Sequence, residues 1–109
     1  MAFDEELAER VRSALAGRDS ITERKMFGGL AFMLHGNMCC GIVKSDLMLR
    51  LGPEGGDHAL DEPHTRPMDF TGRPMSGMVF VEPAGLATTT ALEAWVDRAV
   101  AYVSALPPK

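Results

Sequence analysis

Aromatic residues are few in this chain: one Trp, one Tyr and five Phe among 109 residues. A core built from it must rest on aliphatic and thioether side chains, and stacked-ring binding sites have little to draw on. Cysteine is scarcer still, with only Cys39 and Cys40, and these are adjacent. Neighbouring cysteines close no useful loop, which excludes a disulfide framework. Free thiols fit a reducing compartment, so a cytoplasmic location is expected. Positive charge is also in deficit: 11 Lys and Arg against 15 Asp and Glu give a net charge of −4. Binding to a nucleic-acid backbone is driven by neutralising phosphates, so this balance argues against direct nucleic-acid contact. The sole basic cluster is Arg24-Lys25, read as a solvated strand edge. No apolar run approaches the ~20 residues of a membrane-spanning helix, and MAFDEELAER has no apolar segment of the signal-peptide kind. No linker, repeat or low-complexity tract divides the chain, so residues 1–109 read as a single domain.

What is present is an ordinary globular balance, 46% hydrophobic and 24% charged. Phe3, Leu7, Val11 and Leu15 recur at helical spacing, behind a candidate N-cap at Asp4, with Glu5 and Glu6 where the helix dipole favours acids. Gly17 ends that pattern. The stretch Met26 to Leu51 then alternates strands with tight turns. Gly28-Gly29 and Gly36-Asn37 are two-residue turns of the kind that need positive φ, and Ser45-Asp46 is a weaker third. Carrying side-chain parity through three such turns puts Phe27, Leu30, Phe32, Leu34, Cys39, Val43 and Met48 on one face. The other face takes Met26, Ala31, Met33, His35, Met38, Cys40, Ile42, Leu47, Leu49 and Leu51. Both faces are then apolar, so each needs cover: helices on one, and later strands, a lid or a second copy of the chain on the other.

Residues 52–75 are rich in Gly and Pro. They allow a short helix near Glu54 to Leu60 and a short strand at Arg66 to Phe70. Met78 to Glu82 is a better strand, stopped by Pro83. Thr90 to Glu93 reads as a capping box opening a helix whose apolar stripe is Leu92, Trp95, Val96, Ala99, Val100 and Val103. Pro107 and Pro108 end it. The fold class is therefore α+β: an N-terminal helix, a four-stranded antiparallel meander with one or two later strands, and a C-terminal helix packed on the sheet.

Chemistry-bearing patterns are thin. His35, Cys39, Cys40, His58 and His64 lack the paired spacing of a zinc site, and adjacent cysteines on a regular strand face opposite ways. They read as buried small hydrophobes. His35 with Cys40 has no third group to orient it, so neither catalytic nor metal residues are assigned. No cofactor is expected, since neither Gly-Gly pair precedes Lys-Ser or Lys-Thr as in a P-loop. Methionine fills irregular cores and also lines adaptable surfaces. A partner-binding surface is thus expected around Arg24, Lys25, Met26, Met33 and Met38. The alternative is a small anionic metabolite held by Arg24, Arg50 and Arg66, between the sheet and residues 52–75.

The run Arg24-Lys25-Met26-Phe27-Gly28-Gly29, followed by Phe32, Gly36 and Leu47 to Leu51, resembles the N-terminal domain of the TfoX/Sxy family. The proline-rich loop, the strand near Met78 to Glu82 and a helix carrying Ala94-Trp95-Val96 extend the likeness over about residues 3–105. The resemblance implies a bacterial, non-enzymatic regulatory domain with a fold like the secretion chaperones. Its longer members control competence for DNA uptake alongside a cyclic-AMP receptor protein, through a second, helix-hairpin-helix-like domain. This chain ends at Lys109 without that domain, so a protein-interaction role, with a protein partner or by self-association, is the expectation. Cys39-Cys40 stands where the family carries an aromatic-small pair.

Overall fold

The computed structural model describes residues 4–18, 21–26, 28–67 and 77–107. Helix α1 (Glu5–Leu15) starts where Asp4 accepts a hydrogen bond from the Leu7 amide at 3.1 Å, and Gly17 beyond its end takes φ +86°. Strands β1 (Ile21–Met26), β2 (Gly29–Leu34), β3 (Asn37–Val43) and β4 (Asp46–Arg50) form the meander. Helix α2 (Gly52–Leu60), strand β5 (Thr65–Pro67), strand β6 (Met78–Val81), a 3-10 turn (Pro83–Leu86) and helix α3 (Thr89–Ser104) complete the α+β architecture. The six strands make one antiparallel sheet in the order β1-β2-β3-β4-β6-β5, with β1 and β5 at its edges. Among the described residues no helix is long and apolar enough to cross a membrane.

All three meander turns are two residues long, but each sits one residue earlier than the glycine and asparagine positions indicated. Met26 pairs with Gly29, Leu34 with Asn37, and Val43 with Asp46. The second turn is therefore His35-Gly36, at φ 52° and 82°, and the third places Lys44 at φ 56°. Two consecutive left-handed residues match the right-handed twist of the flanking strands, which is why a non-glycine residue is tolerated there. Asn37, expected in the turn, is instead a buried strand residue, and its side-chain amide donates to the Pro107 carbonyl at 2.9 Å.

Moving a turn by one residue shifts each pairing by two and leaves facing unchanged. Parity fails elsewhere. Between Phe32↔Cys40 and Met33↔Met38 the register slips, leaving Cys39 as the extra residue of a β-bulge. Past the bulge every side chain of β3 and β4 faces opposite to the sequence-derived assignment. Cys40, Ile42, Leu47, Leu49 and Leu51 join Leu30, Phe32 and Leu34 in the helix-covered core, while Met48 leaves it for the outer cluster. Two evenly apolar faces are thus replaced by an aliphatic inner face and a more mixed outer one.

The inner face is sealed by α1 through Leu7, Ala8, Val11 and Leu15, and by α3 through Leu92, Trp95, Val96, Ala99, Val100 and Val103. Those stripes are the expected ones, except that Phe3 lies outside the described residues. Helix α2 adds Ala59, and begins at Gly52 rather than Glu54. The short strand begins at Thr65, and residues 68–70 lie outside the described residues. Helix α3 also begins earlier than the Thr90 capping box: Thr88 is the N-cap, accepting from the Ala91 amide at 3.1 Å. Thr88→Ala should therefore cost about 0.5–2 kcal/mol. Thr90→Ala, inside the exposed first turn, should stay within about 0.5 kcal/mol. Urea unfolding of the two variants checks this; equal losses would return the cap to Thr90.

Candidate functional site: the outer face of the sheet

The register lays residues across the outer face in rows. One row runs Arg24, Ala31, Gly41, Met48, Phe80 and Arg66, each the cross-strand partner of the next. A second brings Thr22, Met33 and Met38 together on β1 to β3, with Arg50 and Met78 paired on β4 and β6. Met48, Met78 and Phe80 form a buried cluster on this face, and the partly buried Met38 and Val43 pack against it. Among the described residues, the cluster is made of sheet residues alone.

The centre of the first row is narrow for a physical reason. A Cβ on Gly41 would lie 2.7 Å from the Leu30 carbonyl oxygen and 2.9 Å from the Met48 terminal methyl. Gly41 lets Met48 fold across the strand, and with Ala31 beside it the middle of the sheet becomes a shallow floor. An isolated glycine inside a strand pattern is a signal for a bulge or a close approach; both occur here, at Cys39 and at Met48.

Most of the residues singled out from the sequence meet on this face. Arg24 is exposed on edge strand β1 and joins no ion pair among the described residues. Met33 and Met38 are half-buried and directly opposed. Met26 pairs with Gly29 at the turn end of β1. Arg50 is half-buried opposite Met78. Arg66 lies with its guanidinium 4.5 Å from the Phe80 ring centre. Lys25 does not belong: it opposes Leu30 and so takes the other side of the edge strand. Glu23 shares that side and bonds Arg12 of α1 at 2.7 and 2.8 Å, which clips the β1 edge to the helix layer. The hydrogen bond from Arg12 holds the Glu23 carboxyl below its ordinary range.

The register does not bring the three arginines into one group. Arg66 is hydrogen-bonded to Asp46 and lies 3.8 Å from Glu82, so its charge is already answered. Arg24 and Arg50 stand on different rows. His35 and Cys40 are not brought together, because His35 occupies an exposed turn while Cys40 is buried opposite Phe32. Among the described residues no group of three or more His, Cys, Asp or Glu side chains converges on one point. The sequence reading missed Met48, Met78 and Phe80 as outer-face residues; the unread signal was Gly41.

The family model of the TfoX N-terminal domain matches residues 13–103. No curated protein and no solved structure matches the chain.

The tight row makes a testable claim. Gly41→Ala should lower stability by about 1–3 kcal/mol through overpacking. Adding Met48→Ala should relieve only the methyl contact, since the Leu30 carbonyl is backbone and does not move aside. Full rescue by the second substitution in chemical denaturation would contradict the register.

Proposed function

The chain belongs to the TfoX N-terminal domain family, and from that premise we propose a non-enzymatic, regulatory module that works by docking onto protein. The docking surface is the β1–β3 side of the outer face, centred on Met33 and Met38 and bordered by Arg24. One observation carries this reading. The half-buried methionine pair and an arginine outside any described ion pair lie together beside β1, a strand with one unpaired edge.

Each feature suits recognition of a protein surface. Methionine has an unbranched, polarizable side chain that re-packs against different partners. Arginine is enriched at interfaces and presents a rigid fork of donors to carboxylates and carbonyls. An edge strand offers backbone donors and acceptors to an incoming strand. The charged run Glu23-Arg24-Lys25 on that edge discourages indiscriminate pairing, as edge charges do elsewhere, and so favours a partner with complementary charge.

An anionic metabolite is the competing reading. The engagement of Arg66 by Asp46 and Glu82 weighs against it. Protein docking, by contrast, needs only the face itself.

A photo-crosslinking residue at position 33 should give discrete adducts in an extract of the native host, or a crosslinked dimer of the purified chain. The same residue at Ala94, exposed on α3, should give few. Arg24→Glu should weaken the position-33 adducts or self-association at least about tenfold, as expected for an interface residue of hot-spot type. Equal crosslinking from both positions, or none from either, would overturn the proposal. A metabolite that raises the melting temperature and loses its effect in Arg50→Ala would favour the competing reading.

A further inference from the structure

The bulge does something to Cys39 and Cys40 that a regular strand cannot. It turns two consecutive side chains toward the same side. Both cysteines have no solvent exposure, and both belong to the helix-covered core. The neighbouring Cys40 thiol, aided by the charges of Arg18 and Arg50, holds Cys39 below the ordinary thiol range against the opposing effect of burial. The Cys39 thiol and burial push Cys40 up.

We propose that Cys39 and Cys40 form a chelating site for a single soft, thiophilic centre, monovalent copper or a trivalent arsenical, bound through both sulfurs. The bulge sets both consecutive side chains in the apolar inner core, as a two-thiolate clamp requires. Soft thiolate ligands select soft centres such as Cu(I). Structural zinc takes four protein donors, and among the described residues no cluster of three is available. A disulfide fits poorly, because consecutive Cα atoms lie about 3.8 Å apart, short of the roughly 4.4–6.8 Å that disulfides span. One bridging atom keeps the sulfurs further apart than an S–S bond does and leaves the strand in place.

The step needs no oxidant. With Cu(I), two S–H bonds break, two S–Cu bonds form and two protons pass to solvent. With an arsine oxide, the two thiols replace the oxygen on arsenic, two As–S bonds form and one water leaves; no oxidation state changes.

Neither cysteine lines the clefts found among the described residues, and the one at the end of α1 comes near them only through Phe32 and Arg18. That cleft, of about 310 Å³, is lined by Leu15, Gly17, Arg18, Ile21 and Phe32, among others. Phe32 is the cross-strand partner of Cys40, and Arg18 is near enough for its charge to act on Cys39.

The test uses the full chain, reduced and free of oxygen. Cu(I) is titrated in competition with bicinchoninate, and phenylarsine oxide binding is followed by intact mass. One copper, or one arsenical with loss of one water, should bind per chain. Cys39→Ser and Cys40→Ser should each weaken binding at least about 100-fold, the usual gain from tethering a second donor. Excess Zn(II) should not displace the copper. Uptake of copper alone, or of arsenical alone, with that loss in both variants, supports the site and identifies which centre it takes. Binding retained in either variant, two centres per chain, equal affinity for zinc, or uptake only after unfolding would overturn it. Where a variant loses its circular-dichroism signal, the wild-type arsenical adduct decides the matter: both thiols must then resist alkylation in denaturant, and one free thiol refutes the clamp.

Discussion

One extra residue in β3 governs the arrangement of this molecule. Side chains alternate along a strand, so inserting a single residue reverses every facing beyond it until the strand ends. Before the bulge, Met38 opposes Met33 on the outer face; after it, Cys40 and Ile42 oppose Phe32 and Leu30 on the inner one. The reversal passes to β4 through the two-residue turn, and from β4 to β6 through direct pairing. Without it, Ile42, Leu47 and Leu49 would face away from α1 and α3, and the helices would lie over Val43 and Met48. The bulge sorts aliphatic side chains to the side where helices can bury them.

The helix layer depends on that sorting. Buried aliphatic area contributes about 25 cal/mol per Å², and it does so only where complementary surfaces meet. Helix α3 brings Leu92, Val96, Ala99 and Val103 against the sheet, while α1 brings Leu7, Val11 and Leu15. Polar clasps at the margins set orientation rather than depth. Arg10 donates to the Leu86 carbonyl at 2.6 Å and to that of Thr88 at 3.3 Å, tying α1 to the approach of α3. Arg18 meets Asp97, and Arg98 meets Glu62 while lying over Trp95. Exposed pairs of this kind contribute little each, so the weight of the assembly rests on the aliphatic seam.

Much of this was legible in residue order because it depends on local repetition. The stripes of α1 and α3 follow from spacing alone, and Asp4 capped its helix as its position suggested. The three turns were legible in number and length, though not in position: glycine and asparagine mark where positive φ is easy, whereas the twist of the strands decides where it is required. His35 and Lys44 accept that geometry because the hairpins around them demand it. The bulge was not read. It arises from how β3 meets β2 and β4 at once, a non-local fit, and its sole local trace is Gly41. The outer face inherited the error. Met33 and Met38 keep their expected side because they precede the slip, whereas Met48 lies beyond it and takes the side opposite to the expected one.

The outer face is also graded from one edge to the other. Toward β6 it is closed: Met48, Met78 and Phe80 are each at most 6% exposed, and Arg66 lies over the Phe80 ring with its charge met by Asp46 and Glu82. Toward β1 it opens, with Met33 and Met38 half-buried and Arg24 exposed. The closed end has its polar and apolar demands satisfied within the chain, so covering it further brings little gain. The open end has thioether surface still in water and, in Arg24, a guanidinium outside every ion pair among the described residues. Burial there removes apolar area from solvent without first breaking an internal ion pair. Covering the sheet would therefore gain most where it is least finished, at the β1 side.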